Sequence, residues 1–167
     1  YGGMPSWRDI KNYVLAQNFD ECYCASDFHY EGGNAWGCPD KTLFDKVYEY
    51  IDAHPNQKTF HIILTTSNHP PYTIDLAAEG FDKNKVLKNL PDNIASDEET
   101  ITELGHIWYA DTAMGSFVRQ TEKIKPDTLF LVTGDHAERF TFSKDVDDKT
   151  LSAIPCIIYG KYVKKNW

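Results

Sequence analysis

Five apolar or β-branched residues in a row, Thr128-Leu129-Phe130-Leu131-Val132, end abruptly at Thr133-Gly134-Asp135-His136. A run this short, without polar alternation, reads as a strand buried on both faces. Strands of that kind belong to α/β sheets, and ligands bind such sheets beyond the carboxyl ends of the strands. Asp135 and His136 therefore stand where a ligand is expected. Side by side they offer a hard oxygen and a borderline nitrogen, a pairing suited to a divalent metal. Gly134 lets the backbone turn and approach a ligand closely. The competing reading is a strand end closed by an ordinary Gly-Asp turn.

A second run of the same character, Phe60 to Ser67, leads straight into Asn68-His69-Pro70-Pro71-Tyr72. Two prolines cannot continue a central strand, so they fix an extended exit and leave His69 in a stiff setting at the strand's end. Between the two runs, Ser96-Asp97-Glu98-Glu99 reads as a capping box that opens a helix reaching about Ile124. Ile101, Leu104, Trp108, Gly115 and Val118 form its expected buried stripe. Asp111 falls on that stripe and is expected to be buried and hydrogen-bonded. Strand, helix, strand implies a parallel crossover, which brings His69, Asp135 and His136 to one sheet edge. A third strand is expected at Ala153 to Tyr159, after a charged loop from Ser143 to Lys149.

The other segments are less informative. Pro5-Ser6 opens a helical pattern through Ile10, Val14 and Leu15 that stops near Asn18. Trp7 and Arg8 at its start read either as an anion-binding pair or as a core anchor beside a surface charge. Pro39-Asp40 starts a second helix, with Asp40 as N-cap and Leu43, Phe44, Val47 and Ile51 facing inward, running to about His54. A polar loop from Ile74 to Asn93 carries a short helix near Val86-Leu87. None of the four cysteines forms a Cys-x-x-Cys pair, so a structural zinc site is not expected. Cys156 reads as a buried small hydrophobe, and Cys38 can bridge to Cys22 or Cys24 in an oxidising compartment.

At 167 residues the chain is long enough for one domain with a real core. Its net charge of −8, with no Lys/Arg cluster, argues against nucleic-acid binding. An anionic ligand remains compatible, because a metal supplies local positive charge. No apolar run approaches the roughly 18 residues of a membrane span. No signal peptide is visible and the first residue is Tyr1 rather than Met, so the chain reads as an excised or processed piece with any targeting segment upstream.

Tyr1-Gly2-Gly3, Trp36-Gly37-Cys38-Pro39-Asp40, Ser67-Asn68-His69-Pro70-Pro71-Tyr72, Tyr109-Ala110-Asp111 and Thr133-Gly134-Asp135-His136 together resemble the alkaline phosphatase–sulfatase superfamily. Within it they are most similar to the lipoteichoic acid synthase and phosphoglycerol transferase group. The resemblance implies an alkaline phosphatase-like α/β fold with a largely parallel sheet flanked by helices. Residues 1–167 would form the C-terminal portion of one sulfatase-like catalytic domain. It further implies that Asp135 and His136 bind a divalent metal ion (Mn, Mg, Zn or Ca) and that His69 contacts the substrate phosphate or its leaving group. Trp7 and Arg139 would touch the substrate, a phospholipid or glycan head group. The catalytic domain would lie outside the cytoplasmic membrane, held by an upstream anchor. The family's Thr nucleophile and an acidic metal ligand lie upstream of the part that Tyr1-Gly2-Gly3 matches, and no Ser or Thr here occupies a comparable strand-to-helix setting. Sulfate ester hydrolysis and non-catalytic head-group or glycan binding are the alternative readings.

Overall fold

The computed structural model describes residues 1–137 and 147–164. Its scaffold is a pair of packed helices, α2 (Asp40–Ala53) and α4 (Glu98–Ile124), preceded by the short α1 (Ile10–Ala16). The helix α3 (Lys83–Asn89) falls where the loop sequence places it. The strand β1 (Phe130–Thr133), the short α5 (Asp148–Ser152) and the strand β2 (Cys156–Tyr159) follow.

The core lies between the two long helices. Phe44 of α2 stacks on Phe117 of α4 with ring centroids 5.1 Å apart. Ile51 and Ala113 complete this cluster, and Ile63 and Phe130 pack against it from the two runs read as strands. Both functional segments are thus tethered to one core.

Helix α4 differs from expectation in its cap and its phase. Asp97, not Ser96, is the N-cap; its Oδ1 accepts from the Thr100 N–H at 2.9 Å and its Oδ2 from the Thr100 hydroxyl at 3.0 Å. A carboxylate serves both donors, and its negative charge suits a helix N-terminus. The buried face runs through Ile101, Gly105, Tyr109, Ala113, Phe117 and Thr121, a strict four-residue spacing. Leu104, Trp108, Gly115 and Val118 are only half-buried, and Asp111 is exposed rather than buried. Small residues decide the phase: a side chain on Gly105 would overlap Leu76, so the glycine face admits the neighbouring segment.

Asp40 is the first residue of α2 rather than its cap, and its carboxylate is turned away from its own helix toward Thr66 and Ser67. Along 60–67, His61 and Ile63 are half-buried while Phe60, Ile62 and Leu64 are exposed, the two-residue period of an extended chain. The segment forms no ladder among the described residues. The ladder that does form there is antiparallel, β1 with β2, with Phe130 opposite Tyr159 and Thr133 opposite Cys156. The expected parallel arrangement of 60–67 and 128–132 in one sheet is therefore not formed among the described residues. Cys156 is exposed, like every residue of β2, because nothing described covers that face. Cys22, Cys24 and Cys38 are free thiols, so the possible bridge is not formed. Among the described residues, no helix is long and apolar enough to cross a membrane.

Candidate functional site

The glycine-rich start of the chain is threaded between three segments. The Gly2 N–H donates to the Leu64 carbonyl at 2.9 Å, and the Gly2 carbonyl accepts from the Cys38 N–H at 2.9 Å. The Gly3 carbonyl accepts from Ala25, and the Met4 N–H donates to the Trp36 carbonyl at 3.1 Å. Gly37 makes this approach possible: a Cβ there would collide with the backbone of Gly2 and Gly3. Asn34 and Gly37 close a tight turn by exchanging backbone hydrogen bonds.

That turn grips the loop carrying His69. The Asn34 side-chain amide donates to the His69 carbonyl at 3.0 Å and to the Pro71 carbonyl at 3.2 Å. The Trp36 indole N–H donates to the Pro70 carbonyl at 2.8 Å. The Trp36 and His69 rings lie 3.9 Å apart, tilted by 46°. His69 Nδ1 lies 2.8 Å from the same Pro70 carbonyl. A carbonyl only accepts, so Nδ1 carries the proton in that contact.

The far side of the loop is fixed by His106, buried in α4. Its Nε2 accepts from the Ile74 N–H at 3.2 Å, and its Nδ1 donates to the Thr102 carbonyl at 2.9 Å. One accepting and one donating nitrogen define a neutral structural imidazole. Tyr72 packs on its ring at 4.9 Å. The loop's beginning is pinned by Asp40, whose Oδ1 accepts from the Thr66 and Ser67 N–H groups at 3.0 Å each. Burial pushes the Asp40 carboxyl above its usual range, against the lowering effect of those hydrogen bonds.

Trp7 sits in a one-turn helix, Trp7–Asp9, and is 39% exposed, so it is not the core anchor of the alternative reading. The Arg8 guanidinium lies 5.4 Å from its ring centroid, within cation–π range. The Trp7 N–H donates to the Met4 carbonyl at 3.2 Å, and the Trp7 ring lies 6.2 Å from that of Tyr1.

Asp135 and His136 follow β1 directly, after Gly134. The His136 N–H donates to Asp135 Oδ1 at 3.0 Å, and Asp135 Oδ2 stands 3.7 Å from His136 Nε2. Two donor atoms at that separation reach one ion, since each metal bond spans about 2.0–2.2 Å. The pair fits a divalent cation but does not enclose one. Among the described residues, no group of three or more His, Cys, Asp or Glu is gathered for a metal. Arg139 lies outside the described residues.

Residues 3–166 match the family model described as Sulfatase. This chain belongs to the sulfatase family. Its backbone follows a protein of the alkaline phosphatase superfamily from Vibrio parahaemolyticus with a TM-score of 0.71 at 25% identity, over 99% of this chain and 38% of that one. It also follows the lipoteichoic acid synthase LtaP from Listeria monocytogenes, with a TM-score of 0.78 at 19% identity, over 99% of this chain and 43% of that one. The sulfatase-family chain thus has an alkaline phosphatase-like fold and spans about two fifths of the length of each of these neighbours. No curated protein matches it by sequence.

Sequence reasoning placed His69, Asp135 and His136 at the ends of their segments but missed Trp36, Asn34 and His106, which hold the His69 loop. The Trp36-Gly37 pair was the available signal, since a tryptophan beside an obligatory glycine marks a close backbone approach.

Proposed function

We propose that this chain forms part of a metal-dependent transferase or phosphodiesterase acting on phosphoglycerol- or phosphoethanolamine-type head groups of membrane lipids or glycans. The observation that carries this reading is the Asp135–His136 donor pair, 3.7 Å apart, in a backbone that follows a lipoteichoic acid synthase along 99% of its length. In the intact enzyme Asp135 and His136 help to hold the ion. A divalent ion held there would supply charge neutralisation at the phosphate and would lower the pKa of a hydroxyl nucleophile. That nucleophile, a threonine in the family this chain resembles, is supplied from outside these residues. His69 works on the leaving group. As the phosphorus–oxygen bond breaks, its electron pair stays on the departing oxygen, and the His69 imidazolium delivers the Nε2 proton to that oxygen. Trp7 and Arg139 contact the head group. The working domain faces the outside of the cytoplasmic membrane, held there by a membrane anchor.

Sulfate ester hydrolysis is the second reading, supported by the family match over residues 3–166. Both are tested on the full-length protein that carries this chain, with Mn²⁺ present, by comparing turnover of a chromogenic phosphodiester and a chromogenic sulfate ester. The first reading expects the phosphodiester to be turned over at least about 10-fold faster. Preference for the sulfate ester would overturn it in favour of the second, and turnover of neither would leave head-group binding without catalysis.

A further inference from the structure

We infer that Trp36 is a positioning residue for His69, setting the orientation of the imidazole and the nitrogen that exchanges its proton. The inference rests on the reading of His69 as the group that works on the leaving oxygen, and deepens it.

Three observations converge. The Trp36 ring lies against the His69 ring at 3.9 Å. The Trp36 indole N–H and His69 Nδ1 meet at one acceptor, the Pro70 carbonyl, each at 2.8 Å. The Trp36 N–H donates to its own turn partner, Asn34 Oδ1, at 2.8 Å, while the Asn34 amide holds the carbonyls of His69 and Pro71. The Asn34–Gly37 turn therefore grips the loop's backbone with one residue and aligns its imidazole with the other.

The chemical consequence follows from the acceptor. A carbonyl oxygen takes hydrogen bonds and donates none, so Nδ1 keeps its proton whether the ring is neutral or charged. Proton exchange is then confined to Nε2, the nitrogen on the far side of the ring. Imidazoles at reactive centres are commonly set in this way, with the bond made by one nitrogen defining the role of the other. Rotation of the ring about its Cβ–Cγ bond would break the Nδ1 contact and lift the ring off the indole, so the same two contacts fix its direction.

The test uses full-length protein with ¹⁵N-labelled histidine. The variants are Trp36→Phe, which keeps an aromatic ring but removes the N–H donor, and Trp36→Ala. The tautomer of His69 is read from its ¹⁵N shifts, and phosphodiester turnover is measured in parallel. In the neutral ring, wild type is expected to show the Nδ1–H tautomer alone. Trp36→Ala should give a mixture of tautomers and lower kcat about 10-fold or more with KM changed less than about 3-fold, with Trp36→Phe intermediate. In a His69→Ala background, Trp36→Ala should cause little further loss of kcat, as expected for residues acting through one group. Unchanged His69 shifts in both variants would overturn the inference, as would a full additional loss in the His69→Ala background. The shifts are read without turnover, so an inactive protein whose tautomer still responds to Trp36 would contradict the proposed reaction and leave the positioning role standing.

Discussion

The Asp40 N–H donates to the Ser67 hydroxyl at 2.9 Å while the Ser67 N–H donates back to the Asp40 carboxylate at 3.0 Å. This reciprocal pair, with the Thr66 N–H as a third donor, joins the start of α2 to the entry of the His69 loop. Asp40 is 1% exposed, so water cannot replace what it provides. Asp40→Ala strands two buried N–H donors and should destabilise the protein by about 2–4 kcal/mol in urea denaturation. A loss within about 0.5 kcal/mol, typical of a surface site, would contradict this role.

The same carboxylate sets a pH dependence. Burial raises its pKa in the folded state, so the folded protein holds the proton more tightly than the unfolded chain does. The stabilising contribution is complete below the unfolded value of about 3.9 and is lost as pH rises through the higher folded value. Asp40→Asn keeps an acceptor for Thr66 and Ser67 but cannot titrate. Wild type should therefore gain stability relative to Asp40→Asn as pH falls from 7 toward 4. Parallel stability curves for the two proteins would show that Asp40 titrates alike in both states.

Much of this scaffold is legible in the sequence because it is local. The periods of α2 and α4, the apolar run ending at Thr133, and the proline stop after His69 each depend on neighbouring residues. The phase of α4 was misread because large apolar side chains set the expected stripe, whereas Gly105 and Ala113 mark the side that neighbours approach. The pairing of β1 with β2 was missed because an apolar run carries no strand direction. Trp36 holds a carbonyl 34 residues away, and no local pattern encodes that contact. The Asp135–His136 pair was visible as Gly-Asp-His, whereas the residues that hold the His69 loop became visible only in three dimensions.

Gly37 should tolerate no side chain. A Cβ there meets the backbone of Gly2 and Gly3, which cannot rotate away as a side chain can. Gly37→Ala should cost about 3 kcal/mol, the upper end of overpacking costs, and should weaken amide protection at Met4 and Cys38 in hydrogen exchange. Unchanged protection at both amides would contradict the threaded arrangement.

His106 is predicted to be structural. His106→Ala leaves the Ile74 N–H and the Thr102 carbonyl without their partner and opens space beside Tyr72, so a loss of about 2–4 kcal/mol is expected. Metal affinity should stay within about 3-fold of wild type. A large loss of metal binding without loss of stability would assign His106 to the site itself.

The chain by itself should self-associate. Phe60, Ile62, Leu129 and Leu131 are 78%, 64%, 65% and 65% exposed, and large apolar side chains left in water favour association. Light scattering should show oligomers that shrink when Leu131→Glu and Ile62→Glu are combined. A monodisperse monomer across a wide concentration range would show that this surface is not sticky.

The most direct measurement is calorimetric titration of Mn²⁺ into the full-length protein and its Asp135→Ala and His136→Ala variants, with phosphodiester turnover followed in the same samples. Loss of an outer-sphere partner already costs 10–100-fold in metal affinity, so loss of either ligand should cost about 100-fold or more and abolish turnover. Mn²⁺ affinity and turnover that survive both substitutions unchanged would contradict the assignment of Asp135 and His136 as the metal ligands of this fold.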